Sequence, residues 1–334
     1  MPNRFFLWLY SYTSPRQLDL SNLPPDLPAS DLRYFVGILK HLDQLLPGVG
    51  LTFVLTWHLD DFHEVMMNAV ILLVGDERHQ TPSYQRRVKA IFKTGGVRRN
   101  PVGQTLQLAW PIAWRALLRD ARNSLNQIER RWKYGPPGII TTQELPLGYC
   151  NLRDIDPLPI EQRPVDVFFA GVLAASGWTL RASVAARKQM ATGVALAQQA
   201  LPQHRIETLL ASPVSNKRLS PEAYTQTLAN AKIALTPRGN FDETFRLFEA
   251  AKLGCVIISD PLPQRWYYQG CPVISISKWT ALPEVLSELL VDTPKLAEIS
   301  QRTRQWWDST LSEEAVARFV AQCLTSGCRV RPEG

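Results

Sequence analysis

The residues best suited to chemistry lie together in one stretch, KIALTPRGNFDETFRLFEAAKLGCVIISD, from Lys232 to Asp260. Arginine side chains and the N–H groups at a helix N-terminus bind diphosphates, and a carboxylate accepts hydrogen bonds from ribose hydroxyls. The stretch supplies both kinds of group, so it predicts a site for a nucleotide diphosphate. Its polar residues are Thr236, Arg238, Asn240, Glu243, Thr244, Arg246 and Glu249.

Two strands and a helix must position these side chains. KIALTP and CVIISD are apolar runs of strand length, and the residues between them place Phe245 and Phe248 on one face of a helix that stops at Gly254. The polar residues then follow the carboxyl end of the first strand. In an open α/β sheet, that edge is where ligands bind.

Strand-like and helix-like segments alternate along all 334 residues. Strands are predicted for FFLWLYSYT, LTFVLTW and AVILLVGDE in the first half, and for DVFFAG and IETLLA in the second. Helices are predicted near 30–46, 84–95, 112–132, 183–200, 296–311 and 312–324. The alternation predicts an α/β protein with two doubly wound domains, at 1–148 and 165–334, joined by a proline-rich linker at 149–164.

Composition excludes several classes of protein. No apolar run is long enough to span a bilayer, and the start MPNRFFLWLYSYTSP lacks a signal-peptide cleavage site, so a cytoplasmic protein is expected. The alternative for this start is an uncleaved segment that touches a membrane. The five cysteines form no CxxC pair and the histidines are scattered, so no structural metal is expected.

The net charge of +7 is unevenly distributed, because no Asp or Glu occurs between Arg78 and Arg119. This basic region is interpreted as a solvated face, or as a surface for an anionic acceptor or an anionic membrane. The helix predicted at 112–132 is apolar on one face and arginine-rich on the other, as in a core-packing helix or a helix lying on a membrane. Peripheral membrane contact is considered for residues 78–133. Nucleic acid is not expected, since no binding module accompanies the charge.

The second half resembles the carboxyl-terminal domain of exostosin-type glycosyltransferases. That family's pattern is a strand ending in Pro, then Gly, Ser-x-Arg-x-x-Glu-Ala, Gly-Cys and a strand closing on Asp. This chain has Pro237, Gly239, Thr244-Phe245-Arg246-Leu247-Phe248-Glu249-Ala250, Gly254-Cys255 and Asp260, with Thr244 in place of the serine. FFAG followed by Arg187 is similar to the family's Phe-x-Gly with a later arginine.

The resemblance implies a GT-B fold, in which two Rossmann-like domains face each other across a cleft and the second binds a UDP- or GDP-linked sugar. It further implies inverting, metal-independent transfer to a glycan or a lipid-linked acceptor, with no cofactor besides the sugar donor. The diphosphate is then expected to contact Arg246 and Arg187, with Arg181 as the alternative to Arg187. The ribose is expected to contact Glu249.

Other residues of the stretch have two interpretations each. Glu243 either touches the sugar or supports the helix N-terminus electrostatically. The remaining polar residues either contact phosphate or shape the loop; these are Thr236, Arg238 and Thr244.

An inverting reaction needs a base that takes the proton of the acceptor hydroxyl. In the first half, Asp76, Glu77 and His79 follow the strand AVILLVG and are the catalytic candidates. A second cluster follows LTFVLTW and consists of Asp60, Asp61 and His63. The alternatives to this function are a retaining GT-B glycosyltransferase, a catalytically inactive GT-B binding or scaffold protein, and a basic module that binds nucleic acid or a membrane surface.

Overall fold

A computed structural model describes residues 1–9, 14–23, 29–60, 66–75, 80–95, 102–135, 141–172, 182–211, 219–239 and 242–326. The chain forms two compact units. Unit one comprises Met1–Arg99, Asp120–Leu147 and Leu311–Gly334, and unit two comprises Asn100–Arg119 and Gly148–Thr310.

Strands and helices alternate over 165–259, as the sequence predicts, whereas three strands of the first half follow one another with no helix between them in the described residues. The strands are β1 (Arg4–Trp8), β2 (Arg16–Gln17), β3 (Thr52–Thr56), β4 (Met66–Leu73), β5 (Val88–Lys93), β6 (Thr141–Glu144), β7 (Val165–Val172), β8 (Ile206–Ala211), β9 (Ala231–Thr236), β10 (Val256–Ser259) and β11 (Ile274–Ser275). The helices are α1 (Ala29–Leu45), α2 (Val102–Leu106), α3 (Trp110–Tyr134), α4 (Ala182–Ala200), α5 (Pro221–Ala229), α6 (Phe245–Lys252), α7 (Leu282–Val291), α8 (Thr293–Trp306) and α9 (Glu313–Ser326). Among these helices, none is long and apolar enough to cross a membrane.

The sheet of unit one has the order β2-β1-β3-β4-β5-β6 in the described part of the chain. β2 is antiparallel to β1, and all other neighbours are parallel. The middle strands are continuous apolar runs, which suits parallel strands covered on both faces. The parallel strands succeed one another in chain order, so the direction of winding does not reverse.

The sheet of unit two has the order β11-β10-β9-β7-β8, and all its described neighbours are parallel. Val167, Ile233 and Val256 of this sheet belong to a core that also contains Met190 of α4 and Leu286 of α7. Both units are thus Rossmann-like α/β structures. This confirms the predicted α/β fold class with two Rossmann-like domains.

The units differ in extent from the predicted domains. α9 belongs to unit one, where it packs on α1, and the hydroxyl of Tyr34 donates a hydrogen bond to the carbonyl of Leu311 at 2.6 Å. Residues 100–119 belong to unit two, where Leu108 and Ile112 pack against Ala182 and Ala185 of α4. Apolar burial, which is not evident from chain order, decides both assignments.

The predicted linker at 149–164 is an integral part of unit two. Arg163 is buried, and its guanidinium donates to the carbonyls of Ala231 at 2.8 Å and Leu253 at 2.7 Å. Ile160 lies in the core of the same unit. The proline-rich composition therefore marks a packed irregular segment.

The predicted helix at 84–95 is wrong. This segment forms a turn at 83–86 and then β5, which pairs in parallel with β4 and β6. Val88, Ala90, Ile91 and Phe92 are buried there. A short apolar run is ambiguous between helix and strand, and sheet pairing decides it.

Candidate functional site

The strand order of unit two indicates where a ligand-binding crevice should lie. β7 is the first strand of this unit, yet it lies between β8 and β9. In a doubly wound sheet of this order, the connections leave the first and third strands in opposite directions and open a crevice at their carboxyl ends. The crevice of unit two is therefore expected at the ends of β7 and β9.

Arg246 lies at this point. It belongs to the first turn of α6, and its Nη2 donates a hydrogen bond to the carbonyl of Ala170 near the end of β7. Its guanidinium carbon lies 4.4 Å from the ring centroid of Phe169. Gly171 makes room for this side chain, because a Cβ at that position would lie 2.8 Å from Nη2 of Arg246.

Arg187 reaches the same strand end from α4. Its Nη1 donates a hydrogen bond to the carbonyl of Val172 at 2.6 Å. The structure thus brings together two arginines that lie far apart in the sequence. Arg181, the alternative to Arg187, lies outside the described residues.

The two guanidinium groups form a half-buried pair of like charges. Burial, together with the positive charge of Arg246, lowers the pKa of Arg187 to about 10. Neither arginine forms an ion pair with a carboxylate among the described residues, and Nε of each is buried there without a hydrogen-bond partner. An anion with several oxygen acceptors would compensate both the charge and the unpaired donors.

The N-terminus of α6 adds to this positive potential. Thr244 occupies the position before the helix but makes no side-chain cap, and its buried Oγ1 has no hydrogen-bond partner among the described residues. The first-turn N–H groups and the helix dipole favour a negative charge at this end.

Thr236 and Arg238 lie at the end of β9 but are engaged with protein groups. Thr236 is buried, and its hydroxyl donates to the carbonyl of Ile258 at 3.3 Å. Arg238 is buried and pairs with Asp242, while its backbone N–H donates to Asp260 at 2.8 Å. These contacts fit the interpretation in which both residues shape the loop after β9.

Glu243 is held in a buried network that the sequence did not predict. Its carboxylate pairs with Arg265 and accepts hydrogen bonds from the hydroxyls of Tyr267, at 3.2 Å, and Tyr268. Burial and the charge of Glu243 raise the pKa of Tyr268 well above its usual range. The network fixes the segment before α6, so it positions Thr244 and Arg246.

Glu249 is also satisfied by protein groups. Its side chain is 1% exposed and accepts hydrogen bonds from the N–H groups of Cys150 at 3.1 Å and Asn151 at 2.9 Å. The hydroxyl of Tyr224 donates to its other oxygen at 2.6 Å. These contacts give Glu249 a structural role, tying residues 150–151 to α6, and they do not favour the predicted ribose contact.

The catalytic candidates Asp76, Glu77 and His79 lie outside the described residues, as do Asp61 and His63. Asp60 is described, and both of its carboxylate oxygens contact the guanidinium of Arg130. Within the described ranges, no group of His, Cys, Asp and Glu side chains could hold a metal ion.

Arg265, Tyr267 and Tyr268 are the residues near the site that the sequence analysis did not single out. Their segment, RWYY, carries no recognised spacing, and Arg265 lies 22 positions from its partner Glu243. What reveals these residues is that a buried arginine pairs with a buried glutamate. The sequence does not show which residues are buried, so it does not reveal this pair.

No protein-family profile matches the sequence, and no curated protein matches it. Solved structures of similar fold include the pneumococcal O-GlcNAc transferase GtfA in complex with UDP and GlcNAc, at 10% identity and a TM-score of 0.45 over 88% of this chain. This chain spans 60% of the length of that protein.

Sucrose-phosphate synthase from Thermosynechococcus elongatus is similar at 12% identity, with a TM-score of 0.42 over 87% of this chain and 93% of that chain. T4 phage BGT, solved with its UDP-glucose substrate, is similar at 10% identity, with a TM-score of 0.37 over 86% of this chain and 92% of that chain. At these identities the likeness concerns the fold, and function has to be argued from the site.

Proposed function

We propose that the chain is a nucleotide-sugar glycosyltransferase of GT-B type, which transfers a sugar from a UDP- or GDP-linked donor to an acceptor hydroxyl. The observation that carries the proposal is the pair Arg187 and Arg246 at the switch point of unit two. Their like charges and their unpartnered buried donors, among the described residues, call for an anion. A diphosphate suits two guanidinium forks, because each can bind two oxygens at once.

The reaction explains why positively charged side chains are needed beside the diphosphate. The acceptor oxygen forms a bond to the anomeric carbon of the sugar, and the bond from that carbon to the diphosphate oxygen breaks. The bonding electrons leave with the diphosphate, so negative charge grows where Arg187 and Arg246 lie. Fixed positive groups at this position stabilise the transition state more than the ground state.

The finer features follow the exostosin resemblance. In this proposal the transfer is inverting and needs no metal, since the arginines and the N-terminus of α6 supply the positive charge. The acceptor is a glycan or a lipid-linked sugar, and Asp76, Glu77 or His79 takes its proton. Glu249 is not included, because its carboxylate is occupied by three protein donors.

Nucleotide binding followed by a single substitution tests the proposal. UDP and GDP should raise the melting temperature, because a ligand that binds only the folded state stabilises it. Arg246→Ala should lower turnover of the matching donor by about 10²–10³-fold, the usual effect of losing one group that stabilises developing charge. Circular dichroism checks that the variant is folded.

Arg205→Ala is the matched control, since this arginine of unit two is exposed and lies outside the site. Equal activity of Arg246→Ala and Arg205→Ala would disprove the assignment. Nucleotide binding without turnover would identify an inactive binding protein, and the anomeric configuration of the product would separate inverting from retaining transfer.

A further inference from the structure

The outer face of α3 has no role in the proposed site. Within the part of α3 that belongs to unit one, Leu125, Ile128 and Trp132 are exposed by 68%, 50% and 87%. Their spacing of three and four residues places them on one face with the exposed Ala121. We refer to Ala121, Leu125, Ile128 and Trp132 as the α3 stripe. A row of large exposed apolar side chains on one helix face indicates a contact surface.

Basic side chains flank the α3 stripe. Arg122, Arg131 and Lys133 are exposed on the same helix, against the acidic residues Asp120 and Glu129. Arg86 adds a further charge where the helix ends, because its guanidinium lies 3.2 Å from the Cβ position of Gly135. The surface therefore combines apolar area with an excess of positive charge.

The aromatic residue at this end of the stripe is of the kind found at membrane–water interfaces. Trp132 is the most exposed member of the stripe, at 87%. Tryptophan prefers the headgroup region because it has an apolar body and a polar tip.

We propose that the α3 stripe docks on the surface of a membrane that contains anionic lipids. The apolar side chains enter the region between the headgroups and the acyl chains, while the arginines and lysine bind headgroup phosphates. Charge favours this occupant over a second copy of the chain, because a symmetric contact would bring the same basic flanks face to face. The proposal does not depend on the glycosyltransferase assignment.

Vesicle co-sedimentation of the full chain tests the proposal. The protein should pellet with vesicles of phosphatidylcholine and phosphatidylglycerol, and far less with phosphatidylcholine alone. The double variant Leu125→Gln, Ile128→Gln should lower the partition coefficient at least about tenfold, since both side chains lose their transfer free energy. Arg131→Gln and Lys133→Gln should each lower it about fivefold, and added salt should act in the same direction.

Val291→Gln is the control, because Val291 is 81% exposed on α7 and lies outside the surface. It should bind vesicles as the unsubstituted protein does, and circular dichroism checks that all variants are folded. Equal binding of the double variant, or no binding to phosphatidylglycerol vesicles, would overturn the proposal. A dimer in sedimentation equilibrium that the double variant abolishes would assign the stripe to a second copy and overturn it as well.

Discussion

The two units are built from the same kinds of element, but they differ in how the polar groups at the ends of their strands are hydrogen-bonded. In unit one, Thr94 accepts a hydrogen bond from the N–H of Gly75 at 3.0 Å. Lys93 donates to the carbonyl of Gln80 at 3.0 Å. These hydrogen bonds join the ends of β4 and β5 to each other and to Gln80, so they hold the fold together.

In unit two, the polar groups at the corresponding edge remain incompletely paired. Arg187, Arg246 and Thr244 each keep a buried polar atom without a hydrogen-bond partner among the described residues. The difference teaches that polar residues at a strand end do not by themselves indicate a site. A site is indicated by buried polar atoms that have no hydrogen-bond partner in the described structure and that lie where the strand order reverses.

Among the substitutions that test this difference between the units, Arg187→Met should have the largest effect. The affinity for pyrophosphate should fall by about 2 kcal/mol, the value of hydrogen bonds to a charged group. The free energy of unfolding should rise by about 1 kcal/mol, because the substitution removes a half-buried charge that faces a like charge. Calorimetric titration measures the first quantity, and urea unfolding measures the second.

The lowered pKa of Arg187 predicts the direction in which stability and pyrophosphate affinity change with pH. Since folding depresses the pKa of Arg187 to about 10, its charge opposes folding below that pH, and the opposition is relieved as the pH rises through it. Pyrophosphate binding needs the charged form, so affinity should weaken over the same rise in the unsubstituted protein and not in Arg187→Met. A large loss of stability in Arg187→Met would make this arginine structural, as Lys93 is.

The sequence predicted most of the local structure around the site. The strands at 231–236 and 256–259, the helix between them and its end at Gly254 all follow from short-range patterns of apolar residues and caps. Gly254 has a φ of +64°, which explains why a glycine ends this helix. The pairing of Arg187 with Arg246 was available only through the family resemblance, because α4 and α6 meet through the sheet and not along the chain.

The remaining features depend on contacts between distant segments. Glu243 and Glu249 are carboxylates in a polar stretch, and nothing local distinguishes a ligand-facing carboxylate from a buried one. The difference lies in their partners, Arg265 for Glu243 and Tyr224 for Glu249, and both partners belong to other segments of the chain. The same holds for β5, whose identity as a strand depends on its neighbours in the sheet.

Gly171→Ala gives a smaller effect and tests the position of Arg246 without changing any charge. The new methyl group would lie 2.8 Å from Nη2 of Arg246. The end of this flexible side chain can move, so stability should change little, while pyrophosphate affinity should fall about tenfold, or 1.4 kcal/mol. Gly103→Ala is the control, because a Cβ there meets nothing within 4 Å. Unchanged affinity in Gly171→Ala would mean that this position of Arg246 is not used in binding.

The smallest effects come from two isosteric substitutions, one in each unit. Thr94→Val removes the acceptor of the Gly75 N–H, so it should lower the free energy of unfolding by about 1 kcal/mol and leave pyrophosphate affinity unchanged. Thr244→Val removes a hydroxyl that has no described partner, so stability should hold while affinity falls by about 1 kcal/mol. Urea unfolding and calorimetric titration of both variants measure the two quantities. If Thr244→Val lost stability and kept its affinity, the polar groups of unit two would serve the fold as those of unit one do, and the anion site would have to lie elsewhere.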